Sequence, residues 1–249
     1  MAGYRVVCFG EQHDSPQHHY AQQRAIEELA ARGGGTRRQG VGLEMFQKPY
    51  QPALSGFVQG RLDEAELLAR SEWSERWGFD FALYRPLLEA AKNRQLDVLA
   101  LNAPRELTRK ISREGLAALD ATERADVPEL DLENASHRAY FDDAMSGHPM
   151  PANGPKVENM YAVQVVWDET MADTAARWLT SAGPDSRLLI IAGSGHCHRS
   201  AIPARLARRI DVPVLSLSGV LESELGERDE HDQYDWWLVL EDGATKGPS

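Results

Sequence analysis

The chain has 249 residues and a mass of 27.7 kDa, long for one small domain and short for two full ones. Its 42% apolar content can fill a core, which excludes global disorder. Thirty-eight acidic against 27 basic side chains give a formal charge of −11 with no long basic block, so a nucleic-acid backbone is a poor partner. No unbroken apolar stretch exceeds five residues, as at 188–192, far short of the ~20 that cross a bilayer. No charged leader or long apolar segment precedes the first strand pattern, so the expectation is a soluble chain, cytoplasmic by default. Cys8 and Cys197 do not make a disulfide framework and read as small core residues.

Short runs rich in Val, Leu and Ile at 4–9, 41–45, 97–101, 188–192 and 212–217 predict strands covered on both faces, as in a parallel sheet. A further strand at 234–240 suits an edge, and residues 241–249 suit a loose tail. Between the first two runs, Ser15-Pro16 opens a helix over 17–32 and Gly33-Gly34-Gly35 closes it. Helices are also predicted to end at 90–94, to span 104–113 and 133–145, and to run long over 157–182. Residues 114–156 interrupt the alternation as a helical insertion, with a breaker-rich segment at 147–155. The fold expected is an open, mostly parallel α/β sheet flanked by helices, with residues 1–240 as one domain.

In such sheets, sites form beyond the carboxyl ends of the strands. Gly10-Glu11-Gln12-His13-Asp14 follows the first strand, Glu44 closes the second, Asn102 follows the third, and Gly193-Ser194-Gly195-His196-Cys197-His198 follows the fourth. Glu11, His13, Glu44 and His196 could together hold Zn, Mn or Fe and a water, or serve as a general base with an orienting carboxylate. The plainer reading is that Glu11 and Asp14 cap the first helix and His196 bonds within a turn. His18 and His19 read as a solvated helix face. Gln164 and Asp168 lie beside an apolar stripe of Met160, Val163, Trp167, Met171 and Trp178, and Asp168 is expected to bond a site histidine from behind. Trp73, Trp77, Phe79, Phe81 and Tyr84 form either a platform for a planar ligand or part of the core. His148 and Met150 offer axial ligands for a haem. Gly193-Ser194-Gly195 is neither a dinucleotide fingerprint nor a nucleophile elbow, because His198 and Ala192 stand where glycines belong.

Taken in order, these pieces resemble the ChaN-like haem-binding uptake proteins of the Tiki superfamily. The resemblance rests on Gly10 to Asp14 with His18, His19 and Gln22, then Gly42-Leu43-Glu44-Met45-Phe46, then Trp77 with Tyr84-Arg85-Pro86-Leu87. It continues through Leu101-Asn102-Ala103-Pro104, Gln164 with Asp168 and Met171-Ala172, and Ile191 to His196, ending at Ile202-Pro203. It implies haem as cofactor, a role in iron acquisition, a homodimer holding haems between subunits, association with the cell envelope, and a tyrosine as haem ligand. Tyr50, Tyr84, Tyr140 and Tyr161 are the candidates, with Trp77, Tyr84, Tyr161 and His148 expected to contact the haem. The wider grouping, which includes metalloproteases and erythromycin esterases, implies the alternative of a metal-dependent amide or ester hydrolase at Glu11, His13, Glu44 and His196.

Overall fold

The apolar runs become strands in a computed structural model that describes residues 3–32, 38–146, 154–225 and 233–243. Among these residues the strands are β1 (Val6–Glu11), β2 (Gln39–Gln47), β3 (Asp97–Asn102), β4 (Arg187–Gly193), β5 (Val214–Leu221) and β6 (Trp236–Leu240). They form one sheet in the order β3-β2-β4-β1-β5-β6, and every pairing is parallel. All strands therefore end on one rim. Alternation along the strands serves two cores: Val7, Phe9, Leu189 and Ile191 face one layer, while Val6, Cys8, Leu188 and Ile190 face the other.

The first layer holds α1 (Pro16–Ala31), α2 (Gln51–Val58), α3 (Glu64–Arg70), α4 (Trp73–Arg76) and α5 (Phe81–Asn93). Ser15 caps α1, its hydroxyl accepting from the His18 amide. The connection from β3 carries α6 (Arg105–Glu114), α7 (Ala121–Asp126) and α8 (Ala135–Met145) before α9 (Pro155–Ala182). After β4 come the single turn α10 (Ser194–Cys197) and α11 (Ile202–Arg209).

At 28 residues α9 is about 42 Å long, longer than the sheet beneath it. Its C-terminal half packs Met171, Ala175 and Leu179 onto the sheet. Its N-terminal half overshoots the rim and carries the insertion: α6 docks through Leu107 and Ile111 on Val163 and Val166, and α8 through Phe141 on Val157, Tyr161 and Val165. Gln164 and Asp168 fall where the helix crosses the rim. Glu169, buried, fastens α11 to α9 through Arg205, Arg208 and Arg209.

The cysteines correct the sequence reading, because Cys8 of β1 and Cys197 of α10 form a disulfide with Cα atoms 5.3 Å apart. A glycine makes the approach possible: a Cβ on Gly10 would meet Ser194 Cα at 3.0 Å. No helix of the described residues is long and apolar enough to cross a membrane.

Candidate functional site

Glu11 ends β1 and is buried. Tyr84 of α5 donates its hydroxyl to Glu11 Oε1 at 2.9 Å, and His13 Nδ1 donates to the same oxygen at 2.9 Å. His19 stands 3.6 Å from Glu11 Oε2 and bonds the His13 carbonyl through Nε2. A carboxylate facing Nδ1 fixes the His13 tautomer, so in the neutral ring Nε2 carries the lone pair. That nitrogen makes no hydrogen bond among the described residues, and the side chain is 28% exposed. Burial alone would lower the His13 pKa; the Glu11 bond and the charges of Glu44 and Glu11 outweigh it and raise it.

Glu44 is the first residue of β2 beyond its ladder with β4, in a stretch where the register with β3 shifts. The Gly193 amide donates to its Oε2 at 2.6 Å, and His196 Nε2 lies 3.2 Å from Oε1. A Cβ at Gly193 would fall 2.8 Å from the His13 ring and 3.6 Å from Glu44 Oε2, so both side chains lie over that glycine. His196 Nδ1 is 2.6 Å from Asp168 Oδ1, and Asp168 Oδ2 is 2.8 Å from His137 Nε2. Tyr161 then meets His137 Nδ1 at 3.2 Å, and Gln164 donates to the Gly195 carbonyl. Burial opposes the charge on His196, yet Glu44 and Asp168 on either side hold its pKa well above the ordinary value. Burial would likewise raise the carboxyls of Asp168 and Glu44, but the facing imidazoles hold both below the usual range.

Two hollows border this relay. The first, about 250 Å³, opens at the rim between Glu44, Arg76, Trp77, Asn102, Arg105 and Trp167. Trp77 and Phe79 pack on His13 at 4.7 and 5.1 Å between ring centres. The second, about 690 Å³, lies under α8 between Asn134, Tyr140, Asp143, His198, Arg199 and Gln233. There Tyr140 stacks on His198 at 3.8 Å, and His137 stacks on His198 at 5.6 Å. His198 Nδ1 meets Ser200 Oγ at 3.0 Å, while its buried Nε2 has no hydrogen-bond partner among the described residues. Burial drives its pKa down to about 3, so the ring is neutral.

Glu11, His13, Glu44 and His196 thus share one place, with Asp168 and Gln164 behind His196. Asn102 lines the rim hollow and accepts from the Ala103 amide. Tyr84 is buried against Glu11, Tyr161 is buried at the far end of the relay, and Trp77 covers His13. His148 lies outside the described residues. The metal expectation finds no support: among the described residues no three His, Cys, Asp or Glu side chains are arranged to hold an ion. The reason is chemical, since both His196 nitrogens and the Nδ1 of His13 are committed to carboxylates. His18 and His19 are also buried, not solvated. The sequence reading overlooked His137 and gave His198 no role, because neither sits in a local pattern that announces its partner.

A six-stranded parallel α/β sheet with an acid–imidazole rim under a helical roof defines the class of protein. Residues 1–206 match the family described as haem-binding uptake, Tiki superfamily, ChaN, and the chain belongs to that family. The fold is similar to that of ChaN of Campylobacter jejuni, solved with cofacially bound haem, at a TM-score of 0.74 and 17% identity over 95% of this chain and 88% of that one. It is also similar to an erythromycin esterase in its open conformation, at a TM-score of 0.53 and 14% identity over 88% and 71%. Among curated proteins, Protein RETICULATA-RELATED 5, chloroplastic, of Arabidopsis thaliana is 25% identical over 186 residues, 70% of this chain. The chain spans about a quarter of that relative's length.

Proposed function

We propose that this protein binds haem in the hollow under α8, with Tyr140 as the iron ligand, and handles iron in that form during its uptake. Family membership supports the cofactor; the placement of the tyrosines supports the residue. Tyr84 and Tyr161 are buried, engaged with Glu11 and His137, and burial raises both phenol pKa values, which opposes a phenolate. Tyr50 donates to Glu72 beneath the Arg76 guanidinium. Tyr140 is half-buried and lines a hollow whose size falls within the range of cofactor sites. That is the observation that carries the reading.

Haem would supply the iron centre and the porphyrin face. The protein's part is to hold the Tyr140 ring in place by stacking on neutral His198, and to present Arg199, paired with Asp235, to a propionate. The orphaned His198 Nε2 is a buried polar atom of the kind a bound group satisfies. The same reading includes a homodimer enclosing haem between copies, which haem-dependent sedimentation checks.

Titrating the protein with haemin should give a saturable Soret shift that Tyr140→Phe abolishes and that Tyr84→Phe and Tyr161→Phe retain. No shift at micromolar haemin, or a wild-type spectrum from Tyr140→Phe, overturns the assignment.

A further inference from the structure

The two edges of the sheet are treated differently. At β3 the outer peptide groups are engaged: Gln51 of α2 donates its amide to the Val98 carbonyl at 2.9 Å and accepts from the Ala100 amide at 2.7 Å, standing where a neighbouring strand would. At β6 the pairing is with β5 alone, and no described strand lies on its outer side. Trp236, at 56% exposure, and Leu238 stand open to solvent on one face of β6, and Trp237 and Val239 on the other. Of the large apolar side chains exposed among the described residues, more than half lie on this one strand.

A strand that is apolar on both faces is what a parallel sheet places in its interior, between neighbours and under two layers. At an edge it is a template for pairing, and proteins that leave such an edge bare break it with a charge, a proline or a bulge. β6 has none of these: it reads Trp236-Trp237-Leu238-Val239-Leu240, in unbroken register with β5. The run is self-complementary when read backwards. An antiparallel pairing centred on Leu238 sets Trp237 against Val239 and Trp236 against Leu240, so each indole meets an aliphatic side chain on its own face. Moving the centre one residue either way sets Asp235 against Val239 or Glu241 against Trp237, and so leaves a carboxylate on apolar surface. In the Leu238 register Asp235 falls opposite Glu241, beyond the strand ends, and Asp235 is already matched by Arg199 at 2.6 Å.

We infer that β6 is a contact between two copies of this chain, which pair it antiparallel about a two-fold axis at Leu238 and join their sheets into one. The contact is isologous, each copy giving the same patch and receiving it. No residue of β6 lines the hollow under α8, and the pairing forms without haem, so it is a different interface from the haem-enclosing one. Being one strand wide, it buries less than the ~1,200 Å² of a standard complex and belongs to the transient class. The indoles, set against aliphatic side chains, supply most of its binding.

Sedimentation equilibrium of the full, haem-free chain over about 1–300 μM should show a monomer–dimer equilibrium. Tyr140→Phe should leave it unchanged, which separates failure here from failure of the haem reading. Leu238→Lys sets two ammonium groups against each other and should weaken the dimer by about a hundredfold, with thermal unfolding of dilute protein unchanged. Glu241→Lys should tighten it by about fivefold, by replacing two opposed carboxylate pairs with attractive ones. The register can be read by cross-linking, because both cysteines of the chain are already joined to each other. Diamide should link Leu238→Cys to its copy, since facing Cα atoms in an antiparallel pair are about 4.5–5.5 Å apart. Trp236→Cys should stay unlinked, its copies standing about 13 Å apart along the strands. A monomer throughout the range, a dimer seen only with haemin, a dimer that Leu238→Lys leaves intact or Glu241→Lys weakens, or equal cross-linking at both positions would each overturn the inference. A monomer that pellets with phosphatidylcholine vesicles would also overturn it, by giving the strand a lipid surface instead.

Discussion

The rim and the hollow under α8 are opposite in character, and one short stretch of chain supplies a histidine to each. His196 faces the rim, where Glu44 and Asp168 keep it charged. His198, two residues on, faces the hollow under α8 and stacks on Tyr140, and there burial keeps it neutral. Burial by itself disfavours the charged form at both positions. What separates them is whether a carboxylate was brought along. The rim is therefore suited to moving protons, and the larger hollow to accepting an uncharged ring face.

The sharpest way to break the contrast is to remove the carboxylate. Asp168→Asn leaves His196 and His137 without their shared acceptor in a fully buried place. Denaturant unfolding should show a loss of about 3–5 kcal/mol, the usual cost of breaking a buried pair from one side. NMR titration should show the His196 pKa falling toward that of an ordinary buried histidine. A mutant as stable as wild type would mean that the relay holds less charge than its geometry indicates.

Next in size is the disulfide. Cys8 and Cys197 join β1, which ends at Glu11, to the turn that bears His196 and His198, so one bond steadies both hollows. Cys8→Ala with Cys197→Ala should cost about 2–5 kcal/mol in denaturant unfolding. If the hollow under α8 depends on the clamp, haemin binding should weaken in this variant. Unchanged haemin binding would show that the turn is held from elsewhere.

Much of this arrangement was legible because parallel strands must end together. Val, Leu and Ile runs mark the strands, and polar residues directly after them have nowhere to go but the common rim; Glu11, Glu44 and His196 could be read that way. The tail of β2 was not legible, since Glu44 and Gln47 interrupt the apolar run that usually signals a strand. The short helices between β2 and β3 also escaped, as α4 spans four residues and shows no full helical period. Long-range partners were hidden most completely. His137 meets Asp168 across 31 positions and Cys8 meets Cys197 across 189, and no local spacing announces either pair.

Per unit of pH, the smallest expected effect compares the two histidines directly. His198 has a folded pKa of about 3 against an ordinary 6.5, so it binds a proton more readily when unfolded. Its contribution to stability is present above pH 6.5 and is lost as pH falls toward 3, at no more than about 1.4 kcal/mol per unit. His196 has the opposite sign. Its raised pKa gives a contribution fully present below pH 6.5 and lost as pH climbs through the folded value. His198→Phe, which keeps a ring to stack on Tyr140, should therefore flatten the acid side of the stability profile and leave the alkaline side as it was. His196→Phe should flatten the alkaline side, on top of a general loss from stranding Asp168 and Glu44. Urea midpoints measured across pH 4–9 would resolve the two slopes. Equal changes on both sides would mean that the two imidazoles share one environment, which the stacking of His198 and the carboxylate pairing of His196 argue against.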